Sequence, residues 1–548
     1  MNDQRRRMSG GEAMIRAAMA NGIDTVFGIP GAQIYPLFDA IHRLPGINAV
    51  ISRHEQGAGY MAMGYAKATG KPGAFAVVPG PGVLNTTAAL CTAWGCNTPV
   101  YCMTGQVPST FLGSGRGHLH ELSDQRATLS TLVKWADRID DPADTQVLTN
   151  RAFEQMLSGR SGPVALEMCW DTMAKEWEVE VGRGYQTLDS AEPDGNQIEK
   201  AVKLLKGAKN AMIMVGGGAQ HASAEVLNLA KLLNAPVTAF RSGRGIVSED
   251  HELGLSIAAA RLLWEETDVL LGIGSRLEMQ YMRWGNMNIY HDRPQSGPKV
   301  IRIDIDPKEM DRFKPDVAII ADAAVGAGSL ADQIASVVSR SKDNLKRIKQ
   351  AKIESRNQIS KIQPQLAYLD MIRDVLPRDG YFVEEICQVG FTSYFGFPVY
   401  EPRTYVTCGF QGTLGFGLPT ALGVKVAAPK KVVVSISGDG GFMYCMPELA
   451  TAVQHNIGVI AIVFNNNAFG NVRRDQLTQF DGRLIGADLV NPDFVKLADS
   501  FGVTPYRVRA PDELKTALSK AIDEDDPALI EVVCKRGIEA SPWKFILE

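Results

Sequence analysis

The stretch GDGGFMYCMPELATAVQHNIGVIAIVFNNNAFG, residues 438–470, decides how this chain is read. Ahead of it, KVVVSIS (residues 431–437) is a β-branched run of the kind that parallel sheets bury on both faces. Behind the glycines, residues 446–455 place small and apolar side chains on one face and predict a helix. Residues 459–464 predict a second buried strand, which delivers the asparagines. Asp439 and Asn466, 27 positions apart, then both lie just past the C-terminal ends of parallel strands. Open α/β sheets bind ligands there. A carboxylate and a carboxamide among bare backbone amides suit a hard divalent cation that carries a diphosphate. Gly-Asp-Gly alone is also an ordinary turn, and it is the strand context and the spaced Asn pair that lift it above one.

Bulk properties narrow the classes of function. A chain of 548 residues with 45% hydrophobic and 22% charged residues is globular, with room for three or four domains. A net charge of −4 offers no electrostatic case for nucleic acid or an anionic membrane. No apolar run reaches the roughly 18 residues of a membrane span. The first residues, MNDQRRRMSGGEAMIRAAMANG, read as a polar tail and an amphipathic helix rather than a signal peptide. The eight cysteines lack zinc-site spacing and read as buried free thiols, from which a cytoplasmic location is expected.

Three α/β blocks follow one another, so the expected fold is three Rossmann-like domains with mostly parallel sheets. Their expected extents are residues 1–181, 190–340 and 363–548. The first alternates helices such as 11–21 with strands such as 24–27, 74–78 and 100–104. Residues 182–196, rich in Gly, Asp, Ser and Pro, read as a linker. The second block holds the strand-then-turn units AMIMVGGGAQ, VLLGIGS and KVIRIDID. Residues 339–362, charged and without a dense apolar stripe, read as an exposed connection. The first and third blocks are alike in size and pattern.

The 438–470 stretch resembles the thiamine-diphosphate (ThDP) fingerprint, a GDG followed by an Asn pair at this spacing. The likeness runs through the whole chain, in the domain order of the ThDP decarboxylase superfamily: pyrimidine-binding, central, diphosphate-binding. FGIPGAQIYPLFDAI, HEQGAGYMAMGYAKATGKPG, GPGVLNT, TGQVP and GTLGFGLPTALG look most like acetolactate synthase catalytic subunits. The resemblance implies roles by position. Asp439, Asn466 and the carbonyl of Ala468 would bind Mg2+. Gly438, Gly440, Gly441, Phe469, Gly470 and Gln388 would surround the diphosphate. Leu414 would wedge the cofactor into its bent form, and the Gly412 carbonyl would take a hydrogen bond from the aminopyrimidine. Pro30, Gly31 and Asn85 lie in matching first-domain turns. Glu55 would hold a proton against the pyrimidine nitrogen of a cofactor bound by a second subunit, with the small residues after it allowing close packing. A homodimer with active sites between subunits is implied, and a tetramer would be a dimer of dimers.

Four stretches depart from the family pattern. EICQVG carries Cys387 and Val389 where a Gly-Gln-His pattern is usual. Gln106 of TGQVP matches a cofactor-proximal glutamine, but GSGRGHLHEL (residues 113–122) replaces a Phe-Gln-Glu segment. On an extended stretch, His118 and His120 face one side. Each is a candidate proton donor or carboxylate ligand, or a solvated loop residue. Asp475 stands where biosynthetic enzymes carry a tryptophan, beside Arg473 and Arg474, which either receive a polar substrate tail or lie on the surface. Leu277-Glu278-Met279-Gln280 replaces a Phe-Asp-Asp-Arg segment, so FAD is not expected. The tail SPWKF (541–545) either covers the site or packs on the domain surface.

The implied activity is decarboxylation of a 2-oxo acid with transfer of the acyl carbanion equivalent to a second carbonyl. The alternatives are plain decarboxylation of a larger polar 2-oxo acid, a flavin-linked oxidase, and a non-catalytic binding protein on the same fold. Intact Glu55, Asp439 and Asn466 weigh against the last.

Overall fold

The computed structural model describes residues 5–180, 182–187, 190–279, 284, 297–335 and 343–545. Among them, runs of buried Val, Ile, Ala and Met form three six-stranded sheets with every strand pair parallel. Helices cover both faces of each, which is why the strands read as unbroken apolar runs rather than alternating ones. A two-stranded antiparallel ribbon, Arg5–Ser9 with Glu176–Glu180, lies outside the sheets.

Across the first sheet the strands run Asn48–Ile51, Thr25–Gly28, Gly73–Val77, Val100–Gln106, Val164–Cys169, Trp135–Ile139. Across the third they run Tyr405–Val406, Tyr381–Glu384, Val433–Gly438, Ile460–Asn465, Ala528–Val533, Thr504–Val508. Counted along the chain within each sheet, both orders are 2-1-3-4-6-5. The central sheet differs, with order 3-2-1-4-5-6. The central order reverses between its strands 1 and 4; the other two reverse between 1 and 3 and again at the 6-5 edge, and the crevice at the inner reversal is where an α/β sheet offers room for a ligand.

The first and third domains share one hydrophobic core. Its seam is the pair of helices Glu55–Thr69 and Gly417–Ala427. The first ends on Gly70, whose φ of 72° closes the helix in the left-handed conformation. Gly64 lies against the Thr420 carbonyl and Gly423 against the Met61 carbonyl, so a methyl group at either would overlap backbone. The small residues after Glu55 therefore serve contact within the chain, whereas the sequence placed them at a subunit interface. Met61, Met63 and Leu422, buried along this seam, each contribute roughly 1.5–3 kcal/mol.

The charged stretch 339–362 is also more than an exposed connection, although 339–342 fall outside the described residues. The helix Asp343–Ile359 sends Ile348 and Ile359 into the core, with Ile362 following, and Ala351 and Ser355 are buried on the same side. Ile348, Ala351, Ser355, Ile359 and Ile362, each three or four residues from the next, make a narrow stripe that the surrounding Lys, Arg and Glu hide in any average over the segment.

Candidate functional site

Asp439 and Asn466 leave neighbouring strands side by side, because Gly438 pairs in register with Phe464. They open onto a cavity of about 240 Å³ at the reversal point of the third sheet. Every third-domain cofactor residue expected from the sequence lines it: Gln388, Gly412, Leu414, Gly438, Asp439, Gly440, Gly441, Asn466, Ala468, Phe469 and Gly470. Side chains are excluded at the two glycines after Asp439, since a methyl would strike the Phe469 ring at Gly440 and the Glu385 carboxylate at Gly441. Bare backbone therefore faces the cavity there, as close approach of a phosphate requires.

Asp439 is 2% exposed. Burial pushes its carboxyl above the ordinary range, against hydrogen bonds from Asn491 Nδ2 (2.6 Å) and the Ala468 N–H (3.2 Å) to Oδ2. Among the described residues no cationic side chain pairs with it. A buried carboxylate in that state is suited to a cation, and the nearby Asn466 amide and Ala468 carbonyl are the hard oxygen donors that Mg2+ takes. Among the described residues no three His, Cys, Asp or Glu side chains cluster as a metal site, so such a cation would depend on this mixed set.

Three acidic or amide groups here were not anticipated from the sequence. Asn491 bridges Asp439, Asn465 (3.1 Å) and Asn467 (3.2 Å) through one Nδ2. Glu539 lines the cavity and accepts a hydrogen bond from Asn466 Nδ2 at 3.0 Å. Glu385, fully buried beneath the glycines, has its pKa pushed up to about 7 by burial, against backbone donors at Gly417 and Gly415. Glu384-Glu385 at the end of an otherwise apolar strand was the one available signal. Asn491 had none.

The tail 541–545 packs on the domain surface, and it is the segment before it that lines the site. Cys534, Lys535, Ile538 and Glu539 line the cavity. Trp543 sits 5.6 Å from Phe391 and Phe545 5.9 Å from Phe395, on the helix Gln388–Gly396. Gln388 ties these parts together, donating to Asn471 and accepting from the Ala540 N–H at 2.9 Å.

Arg473 and Arg474 do not line the cavity. Arg473 donates to Asp488 at 3.2 Å. Arg474 donates to Asp475 (3.0 and 2.9 Å), Asn471 (3.3 Å) and the Ala540 carbonyl (3.0 Å). Both guanidinium groups fasten the helix Gly470–Gln479 to its surroundings.

The first domain presents a second set of groups at its own reversal point. Pro30 and Gly31 follow the strand Thr25–Gly28, and Gly31 is pressed against the Val78 side chain. Glu55 is the first residue of its helix, and Oε2 accepts from Asn85 Nδ2 at 3.0 Å. The backbone just before it is gripped by the third domain. Glu448, fully buried and with its pKa raised by burial, accepts the N–H groups of Arg53 (3.1 Å) and His54 (3.0 Å). Gln106 is turned inward, its Nε2 toward the buried Glu167 at 3.3 Å. Glu167 also receives Arg138 (2.6 Å) and Gln125 (2.8 Å), so Gln106 belongs to a buried polar network beneath the strand ends.

His118 and His120 are not on an extended stretch. His120 has φ of 66°, which turns the chain between them. His118 stacks on Phe111 with ring centres 4.7 Å apart, whereas His120 Nδ1 meets Gln33 Oε1 at 2.8 Å. No sequence pattern pairs residue 33 with residue 120.

A second cavity, of about 450 Å³, lies at the reversal point of the central sheet, lined by Gly216, Gly217, Gly218, Arg241, Arg276 and Asp322 among others. The glycine loops there lock onto each other, the Gly218 N–H donating to the Gly274 carbonyl at 3.1 Å. Glu278 holds Arg241 through bonds of 2.9 and 2.8 Å. Gln280 lies outside the described residues.

The two terminal domains thus share one topology, the central domain has another, and a carboxylate–amide–carbonyl set stands in a cavity of the third. Residues 8–128 match the N-terminal TPP binding domain of thiamine pyrophosphate enzymes, 198–330 the central domain and 386–532 the C-terminal TPP binding domain. The chain belongs to the thiamine pyrophosphate enzyme family. A probable acetolactate synthase large subunit from Methanococcus aeolicus is 32% identical, covering 96% of this chain and 92% of that protein. The Haemophilus influenzae acetolactate synthase large subunit is also 32% identical, over 94% and 92%. A probable 2-ketoarginine decarboxylase from Pseudomonas aeruginosa is 31% identical, over 96% and 94%. This ThDP enzyme is thus similar over nearly its whole length both to acetolactate synthase large subunits and to a probable 2-ketoarginine decarboxylase. No helix among the described residues is long and apolar enough to cross a membrane.

Proposed function

We propose that this ThDP enzyme uses Mg2+ and works as a homodimer, decarboxylating a 2-oxo acid and transferring the acyl carbanion equivalent to a second carbonyl, as acetolactate synthases do. The observation that carries this reading is the buried Asp439 carboxylate, without a cationic partner among the described residues, in a cavity whose lining includes glycine backbone, amides and Leu414. ThDP supplies a thiazolium carbon that adds to the 2-oxo acid and a ring that takes up the electrons released with CO2. Asp439, Asn466 and the Ala468 carbonyl would hold the metal, and the bare backbone at Gly440 and Gly441 would leave room for the diphosphate. Leu414 and the Gly412 carbonyl would orient the rings, and the Glu55 carboxyl would share a proton with the pyrimidine.

Glu55 and this cavity lie on different domains of one chain, and the cavity is lined only by residues from 364 to 539. Pairing of two chains, Glu55 of each meeting the cavity of the other, supplies the missing acid. Exposed Trp94, Phe410 and Tyr444 are apolar side chains that such a pairing would cover.

A second reading is plain decarboxylation of a larger polar 2-oxo acid. It is favoured by Glu539 on the cavity wall and by Asp475 in place of an aromatic residue. The likeness to a 2-ketoarginine decarboxylase supports it as well. Purified protein with ThDP, Mg2+ and pyruvate distinguishes them: acetolactate supports ligation. CO2 and an aldehyde, from a basic 2-oxo acid in preference to pyruvate, support the second. Failure of every 2-oxo acid in a panel to release CO2 overturns both. Neither reading uses a flavin, and a yellow protein with flavin absorption would contradict that.

A further inference from the structure

Two residues other than glycine with positive φ meet above the strand ends of the first domain: Gln33 at 76° and His120 at 66°. Each left-handed residue costs roughly 1 kcal/mol, so the surrounding contacts must hold both in place. Gln33 is fully buried. Its Nε2 donates to the Leu119 carbonyl at 2.9 Å, and its Oε1 lies 2.8 Å from His120 Nδ1. A carbonyl can only accept, so the nitrogen of the carboxamide must face Leu119 and the oxygen must face the ring. Nδ1 therefore carries a hydrogen in the neutral and the protonated ring alike. The backbone closes the arrangement from both sides: a methyl at Gly80 would strike the His120 carbonyl, and one at Gly105 the Gln33 carbonyl.

We propose that Gln33 is a positioning residue that fixes His120 as the Nδ1–H tautomer and leaves Nε2 as the proton-carrying atom of the shared site. This rests on the 2-oxo acid reading above. The imidazolium gives its Nε2 proton to the substrate carbonyl oxygen as negative charge collects there during attack on the carbonyl carbon. The neutral ring, still Nδ1–H, takes that proton back when the C=O re-forms at product release, while the one proton that replaces CO2 in the product comes from solvent. Burial holds the His120 pKa below the ordinary imidazole range. Residues 29–34 and 78–82, which hold Gln33 and Gly80 against residue 120, contain no ionisable side chain. In its own loop, Glu121 is taken up by the N–H groups of Gly115 and His118 at 2.9 Å each, and His118 is stacked on Phe111.

The test reads His120 directly, without turnover. The full-length protein with ThDP and Mg2+ is treated with diethylpyrocarbonate across a pH series, and the peptide containing residue 120 is quantified by mass spectrometry. In the wild type His120 is modified, with a midpoint below that of free imidazole. Gln33→Glu puts a carboxylate on Nδ1 and raises the midpoint by about one pH unit or more. Gln33→Leu removes the acceptor and lowers kcat on the best 2-oxo acid at least about tenfold, with ThDP affinity kept. Gln33→Glu restores most of that rate and shifts the pH profile upward. An unmodified His120 in the wild type, or an identical midpoint in all three proteins, overturns the proposal. If the variants do not fold, the wild type alone decides it by [15N]histidine long-range correlation spectra. The Nδ1–H form is required, and an Nε2–H form overturns it. A wild type that turns over no 2-oxo acid, yet shows the Nδ1–H form and the shifted midpoint, would refute the activity and not the positioning.

Discussion

The first and third domains carry the same strand order and present opposite kinds of surface at the same place. In the third, the sheet reversal encloses a cavity where carboxylate, amides and bare glycine backbone converge. In the first, the corresponding loops offer Glu55, Asn85, Gln33 and His120, held by one another and by the domain beneath. The scaffold is common, and the few residues after each strand set what it does. On the proposed function, one domain would grip an anion through a metal and the other would manage protons. A catalyst that must do both needs two such surfaces face to face.

The largest expected effect tests that division. Glu55→Gln should lower kcat more than about 100-fold while ThDP still binds, because a general acid–base group is lost and the grip is not. Asp439→Ala should lose Mg2+ and ThDP together. Co-purified mixed dimers of the two variants should recover activity that neither has alone, since one of their two sites is then intact. Absence of recovery in verified mixed dimers would show each chain to be self-sufficient.

The seam between the two domains comes next. Gly423→Leu drives a side chain into the Met61 carbonyl and should destabilise the protein by about 3 kcal/mol or more, read by urea unfolding. An unchanged midpoint would mean that the helices are not in backbone contact.

A smaller effect separates the domains by pH. Glu385 titrates near 7 in the folded third domain, against 4.5 for the free group. The folded state therefore holds its proton more tightly, so stability falls as pH rises from about 4.5 to 7 and the loss persists above. Glu385→Gln should remove that fall and leave the variant about 3 kcal/mol better placed relative to wild type at pH 8 than at pH 4. Parallel stability profiles of the two proteins would contradict a raised pKa.

The smallest effect concerns the arginines. Arg473→Ala breaks a partly exposed pair with Asp488 and should change stability by less than about 1 kcal/mol and kcat/KM hardly at all. A large rise in KM would put Arg473 back in the substrate site.

What could be read from the chain follows from the range of the physics involved. Burial on both faces leaves local apolar runs, so the strands ending at Gly438 and Asn465 were visible, and with them Asp439 and Asn466. The close approach of backbone leaves glycines, so Gly440 and Gly441 were visible too. The isoleucine stripe at 348, 359 and 362 was hidden by the charges around it. His118 and His120 were misjudged because a positive φ at a histidine has no local signature.

The sequence by itself determined the domain order, the strands and the third-domain cavity wall, all set by neighbours along the chain. Only the tertiary structure decided that Asn491 orients Asp439, that Glu448 grips the approach to Glu55, that Gln106 is drawn into the Glu167 network, and that Gln33 fixes His120. A hydrogen bond acts over about 3 Å and is indifferent to sequence separation, so its partners are known only once the chain has folded back on itself.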